Sequence, residues 1–168
     1  MSTAEETSNK ATVGVMGRSA AGWLRAGLLL YCGAAVLVGG WAAGWPRSFY
    51  DDFPWPGHPW VAPLGAYNEH LVRDFGGMNL AMAVVFGVAA ASIDRRLATT
   101  ALVAYLVFAV PHLVFHLNHL EPFGTLDAVA QVAALVAQVV LALLLLTLVA
   151  RAQRSHQAQP PPSRRQSA

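Results

Sequence analysis

The chain has 168 residues, 55% of them hydrophobic and 12% charged, with a formal net charge of +2. A soluble domain carries about twice that charged fraction, so the composition argues against a water-soluble globule, and the small net charge argues against a nucleic-acid partner. Cys32 is the sole cysteine, which excludes an intramolecular disulfide and any cysteine-cluster metal site.

In chain order, residues 1–20 read as a disordered cytoplasmic tail. Four uncharged runs follow: Ala26 to Trp45, Phe75 to Ile93, Leu97 to Phe115 and Ala128 to Ala150. Each reaches the roughly 20 residues that cross a bilayer as a helix, and backbone groups in lipid must bond within their own segment. The expected fold is all-α, a four-transmembrane-helix bundle over residues 21–151, with spans at 24–45, 69–93, 97–120 and 127–150. Residues 152–168, with Pro160, Pro161 and Pro162, read as a second disordered cytoplasmic tail. The basic start and the small residues Ala42, Ala43 and Gly44 also suit a signal peptide, but the long apolar run and its leading segment favour a retained span.

Basic residues set the direction. Lys10, Arg18 and Arg25 precede the first span, Arg95 and Arg96 separate the second from the third, and Arg151, Arg154, Arg164 and Arg165 follow the fourth. The other two connections hold Arg47 and Arg73 against Asp51, Asp52, Glu69, Asp74, Glu121 and Asp127. The positive-inside rule then puts both termini in the cytoplasm of a plasma (inner) membrane. The connection from Gly44 to Tyr67 becomes a long extracytoplasmic loop rich in aromatic residues and proline. Its tryptophans and tyrosines favour the headgroup level, and its prolines deny it a long helix. It reads as an interfacial anchor or as a lid over an opening between helices, with a short helix near Ser48 to Asp52 and with His58 on it.

The second span opens on Asn68, a suitable N-cap, and Glu69–Arg73 and His70–Asp74 are each four apart and able to pair. The third span ends Pro111-His112-Leu113-Val114-Phe115-His116-Leu117-Asn118-His119. At 3.6 residues per turn, His112, His116 and His119 fall within roughly a 60° arc of one helix face. Imidazoles near hydrocarbon are costly and face protein, water or a metal. If the second and third spans touch, helix rise puts His70 level with His119 and Asp74 level with His116, about 6 Å below the boundary. Gly76, Gly77 and Ala81 would allow that approach. The expected site is therefore a metal centre built from His70, Asp74, His112, His116, His119 and Glu69, with Arg73 at its rim. Such nitrogen and oxygen donors suit zinc, iron, manganese or copper. Haem held by two of the histidines is an alternative cofactor. Another alternative is a non-enzymatic membrane module, its histidines forming a structural polar network or binding a partner or a small ligand. Gln131 and Gln138, seven apart on the fourth span, are expected to hydrogen-bond between helices. Phosphate-loop, dinucleotide, HExxH and GxSxG motifs are absent. The bilayer is the expected partner, with a homo-oligomer or a membrane partner protein open.

Size, four spans, a long first outer loop and the charged segment Asn68-Glu69-His70-Leu71-Val72-Arg73-Asp74-Phe75-Gly76 resemble the DoxX-like group of small bacterial four-helix membrane proteins. The resemblance covers Arg18 to Arg151 and implies fold rather than activity. The His112, His116 and His119 run lies outside that pattern, so no functional residue carries over.

Overall fold

The computed structural model describes residues 18–157. The expected tails lie outside the described residues, apart from helical turns at 18–20 and 152–157. Helix α1 (Arg18–Gly44) is followed by a short helix α2 (Pro46–Asp52), an antiparallel pair of two-residue strands, β1 (Pro54–Trp55) and β2 (His58–Pro59), and a 3-10 turn (Ala62–Leu64). Helices α3 (Glu69–Ser92), α4 (Arg95–Leu117) and α5 (Thr125–Gln157) complete the described chain. Four helices, α1, α3, α4 and α5, are long and apolar enough to cross a membrane. Their outward faces carry large apolar side chains such as Leu37, Met78 and Val107, which is 72% exposed. That surface is unfavourable in water and suits hydrocarbon.

Helices α1 and α3 pack backbone to backbone. A methyl group on Gly39 would lie 2.8 Å from the Gly76 carbonyl oxygen, and one on Gly76 would strike the Ala43 backbone. Small residues thus let two helices approach closely, where van der Waals contact drives association in lipid. Polar stitches flank the seam. Arg25 Nε donates to the Ala90 carbonyl at 3.1 Å, Cys32 Sγ donates to the Ala83 carbonyl at 3.3 Å, and Arg73 Nη1 donates to the Ala43 carbonyl. Cys32 therefore behaves as a small packing residue with one weak donor.

Two apolar clusters form. The larger gathers Leu24, Leu28, Tyr31, Phe86, Leu102, Leu145 and Val149 in the half of the bundle nearer the α3–α4 turn. The smaller, at the opposite end, seats Phe49 of α2 among Ala42, Val72, Trp41, Phe53 and Phe75. Pro46 starts α2, where its fixed φ is pre-organised for a helix. The loop-side halves of α4 and α5 lie outside both clusters, and the buried polar residues of the described chain, His116 and Gln131, sit there.

Local chemistry explains most helix ends. The Asn68 side chain caps α3 by accepting from Leu71 N at 3.2 Å, and Asp94 caps α4 by accepting from Leu97 N at 2.8 Å. The two-residue α3–α4 turn forces Ile93 into the left-handed region at φ 51°, an uncommon place for a β-branched residue. Helix α4 continues through Pro111 but ends at Leu117, three residues before the expected 120. Pro122 lies just beyond, and the residue before a proline is biased away from helix. His119 is therefore past the end of α4.

Candidate functional site

On α4, Tyr105, Phe108, His112 and His116 recur at intervals of three and four and share a face. Their rings touch in series. Tyr105 and Phe108 have centroids 6.3 Å apart, Phe108 and His112 stack at 5.0 Å, and His112 meets His116 edge-on at 4.5 Å. On α5, Asp127, Gln131 and Gln138 share the facing stripe. His116 is 7% exposed and Gln131 1%. They are neighbours across the α4–α5 interface, with the Gln131 amide close enough to act on the His116 imidazole but no hydrogen bond of good geometry joining them. His116 Nδ1, Gln131 Nε2 and Gln131 Oε1 are all buried with no protein partner. Most buried polar atoms have one, and an exception points to a missing water, ion or ligand.

The interface is bounded at both ends. One turn above Gln131, Asp127 accepts from Trp60 Nε1 at 3.1 Å, and His58 Nδ1 lies 3.0 and 3.1 Å from its two carboxylate oxygens. The β1–β2 hairpin holds these partners in place. Trp60 N donates to the Phe53 carbonyl at 2.7 Å, and Trp55 packs on both His58 and Trp60. The hairpin is thus latched to the first turns of α5. Two turns below Gln131, Gln138 Oε1 accepts from the Tyr105 hydroxyl and the Gln138 carbonyl accepts from the Tyr31 hydroxyl. Phe86 of α3 stacks on Tyr31 at 5.0 Å, so four helices meet at this second polar layer.

The expected metal set is divided among three places. His112 and His116 adjoin on α4. His119 is exposed, stacks on Phe115 at 4.0 Å and donates from Nδ1 to the Phe115 carbonyl at 2.7 Å. His70 pairs with Asp74 at 3.3 Å, with their side chains 87% and 60% exposed, and Arg73 pairs with Glu69 at 2.8 Å. Both α3 pairs form as their spacing expects, but they do not reach α4. Among the described residues, no group of three or more His, Cys, Asp or Glu side chains could hold a metal ion. The reason is the orientation of α3. Gly76 faces α1, and Asp74 is two residues away, roughly 200° around the helix. The stripe His70, Asp74, Gly77 and Ala81 is consequently turned outward, and each of its residues is exposed.

Nothing local in the sequence singles out Asp127, Trp60, Tyr31 or Tyr105, and His58 stands out there only as a histidine on the long loop. The four- and seven-residue spacing of Asp127, Gln131 and Gln138, set against Tyr105, His112 and His116, was the available signal. No family model, curated protein or solved structure matches the chain. None of these comparisons identifies the DoxX-like group.

Proposed function

We propose that this is a multi-pass plasma-membrane protein, with both termini in the cytoplasm, that binds a small hydrogen-bonding ligand between α4 and α5. The observation that carries this reading is the set of three unpartnered polar atoms on His116 and Gln131. A buried group left unsatisfied costs about 1–3 kcal/mol. A polar contact between membrane helices returns only about 0.6 kcal/mol on average. Three buried polar atoms without a well-formed bond therefore cost more than a strained His116–Gln131 contact returns as interhelical glue. A hydroxyl or carboxamide both donates and accepts, so such a group inserted here would satisfy the Gln131 amide and the imidazole together. His112, packed edge-on against His116, would orient the ring. The hairpin latched to Asp127 would cover this end of the α4–α5 interface and keep out bulk water.

A transition-metal ion is the second reading. The edge contact of His112 and His116 favours it, since two imidazoles four apart on a helix can share one ion. Gln131 Oε1 would be the third donor.

Native mass spectrometry with elemental analysis of the detergent-purified protein separates these readings. The ligand reading expects an organic adduct that Gln131→Leu abolishes while helix content is retained, with a lower melting temperature through lost ligand linkage. The metal reading expects near-stoichiometric zinc, iron, manganese or copper, lost in His112→Ala and in His116→Ala. Neither adduct nor metal, with a His116→Leu/Gln131→Leu double variant melting higher than the parent, contradicts both, because replacing an unbonded polar pair by apolar groups would then be stabilising.

A further inference from the structure

A polar recess lies at the α1–α2 corner, beside α3 and built from residues that the α4–α5 interface does not use. It is an open cleft of about 430 Å³ whose walls include Trp45, Arg47, Tyr67, Glu69 and Arg73. Its depth in the bilayer can be read from α1. Trp23 is 72% exposed and Trp45 is 70% exposed. They stand 22 residues apart, about 33 Å at 1.5 Å per residue, which matches a hydrocarbon core of about 30 Å. Exposed tryptophans favour the two headgroup levels, so the cleft with Trp45 in its wall opens at one of them.

The donors in the cleft are held in position. Arg47 donates from Nε to Asp51 at 2.6 Å, and its guanidinium carbon lies 5.0 Å from the Tyr67 ring centroid and 5.7 Å from that of Tyr50. The hydrogen bond to Asp51 raises the Arg47 pKa above its ordinary value, so the group stays charged. Arg73 donates from Nε to Glu69 at 2.8 Å and from Nη1 to the Ala43 carbonyl. Among the described residues, both Nη groups of Arg47 and the Nη2 group of Arg73 have no protein acceptor. Planar guanidinium forks suit phosphate oxygens. Glu69 accepts from Arg73 through Oε1, which leaves Oε2 as an acceptor in the same wall. Two arginines against Asp51 and Glu69 sum to no net charge, so the cleft would not gather anions indiscriminately.

We propose that this cleft binds the headgroup of a zwitterionic phospholipid of the phosphatidylethanolamine type, with Arg47 and Arg73 on the phosphate and Glu69 on the ammonium. Such a lipid in the loop-side leaflet would fix the α1–α2 corner to the bilayer surface.

Native mass spectrometry of the full chain, delipidated in detergent and titrated with phosphatidylethanolamine, phosphatidylglycerol or diacylglycerol, tests this. Phosphatidylethanolamine should bind most tightly and diacylglycerol not at all. Arg47→Gln should weaken the phosphatidylethanolamine adduct several-fold and Arg47→Gln/Arg73→Gln at least tenfold. Among the described residues Arg47 has a hydrogen bond to Asp51 alone, stacks over Tyr50 and Tyr67, and lies at the surface, so the single variant is read with its helical circular dichroism intact even if loss of the Arg73 stitch disturbs the double one. Glu69→Gln should erase the preference for phosphatidylethanolamine over phosphatidylglycerol. Soluble phosphoethanolamine should not displace the lipid at equal concentration. Displacement would assign the cleft to a free phosphoester and overturn the lipid proposal. Unchanged affinity in a folded Arg47→Gln, or equal binding of diacylglycerol, overturns it as well.

Discussion

Gly76 and Gly77 are adjacent in sequence and opposite in consequence. A side chain on Gly76 meets the Ala43 backbone, which cannot move without parting α1 from α3, whereas Gly77 has open space around it. Gly76→Ala is expected to cost about 1–3 kcal/mol through overpacking. Gly77→Ala should be neutral or stabilising by up to about 1 kcal/mol through helix propensity. Thermal unfolding of both variants in one detergent decides this, and equal effects would contradict the packing described. The sequence showed that Gly76, Gly77 and Ala81 are small. It did not show that Gly76 meets α1 while Gly77 and Ala81 share the outward face of His70 and Asp74. Periodicity reveals which residues share a face, not which neighbour takes it. For the same reason the imidazoles of α4 and the carboxylate of Asp74 were expected in one pocket, and the structure keeps them apart. His116 and Gln131 were each noticed in the sequence, but their meeting depends on which two helices adjoin.

The β1–β2 hairpin depends on one carboxylate of another element. Asp127→Ala removes the bonds from both Trp60 and His58. With the Asp127 and His58 side chains 19% and 37% exposed, the contact is partly screened by solvent, and the expected cost is about 1 kcal/mol. Hydrogen exchange over residues 54–60 should accelerate and tryptophan emission should shift to the red. Unchanged protection would show that aromatic packing alone holds the hairpin. The start of α3 was legible in advance, because capping and i to i+4 pairing are local. The α4–α5 crossover was less so. Helix α4 ends at Leu117 and leaves His119 beyond it, so an expected run of three histidines on one helix becomes two. The bonds from the hairpin to Asp127 join positions about 70 residues apart in the chain, and no local pattern announces such a contact.

For the whole molecule, the four expected spans appear as four helices long and apolar enough to cross a membrane. The four spans were legible because long uncharged runs have few alternatives. The proposed orientation makes a direct prediction. With Cys32→Ala as background, Ala66→Cys should react with a membrane-impermeant maleimide in intact cells. Labelling only after permeabilisation would reverse the topology. The central claim concerns the space between α4 and α5. The measurement closest to it is a density map of the protein in lipid nanodiscs, at a resolution that shows ordered water. Non-protein density within hydrogen-bonding distance of both His116 Nδ1 and the Gln131 amide is the predicted result. A Gln131 side chain bonded directly to His116, with nothing between them, would contradict the account.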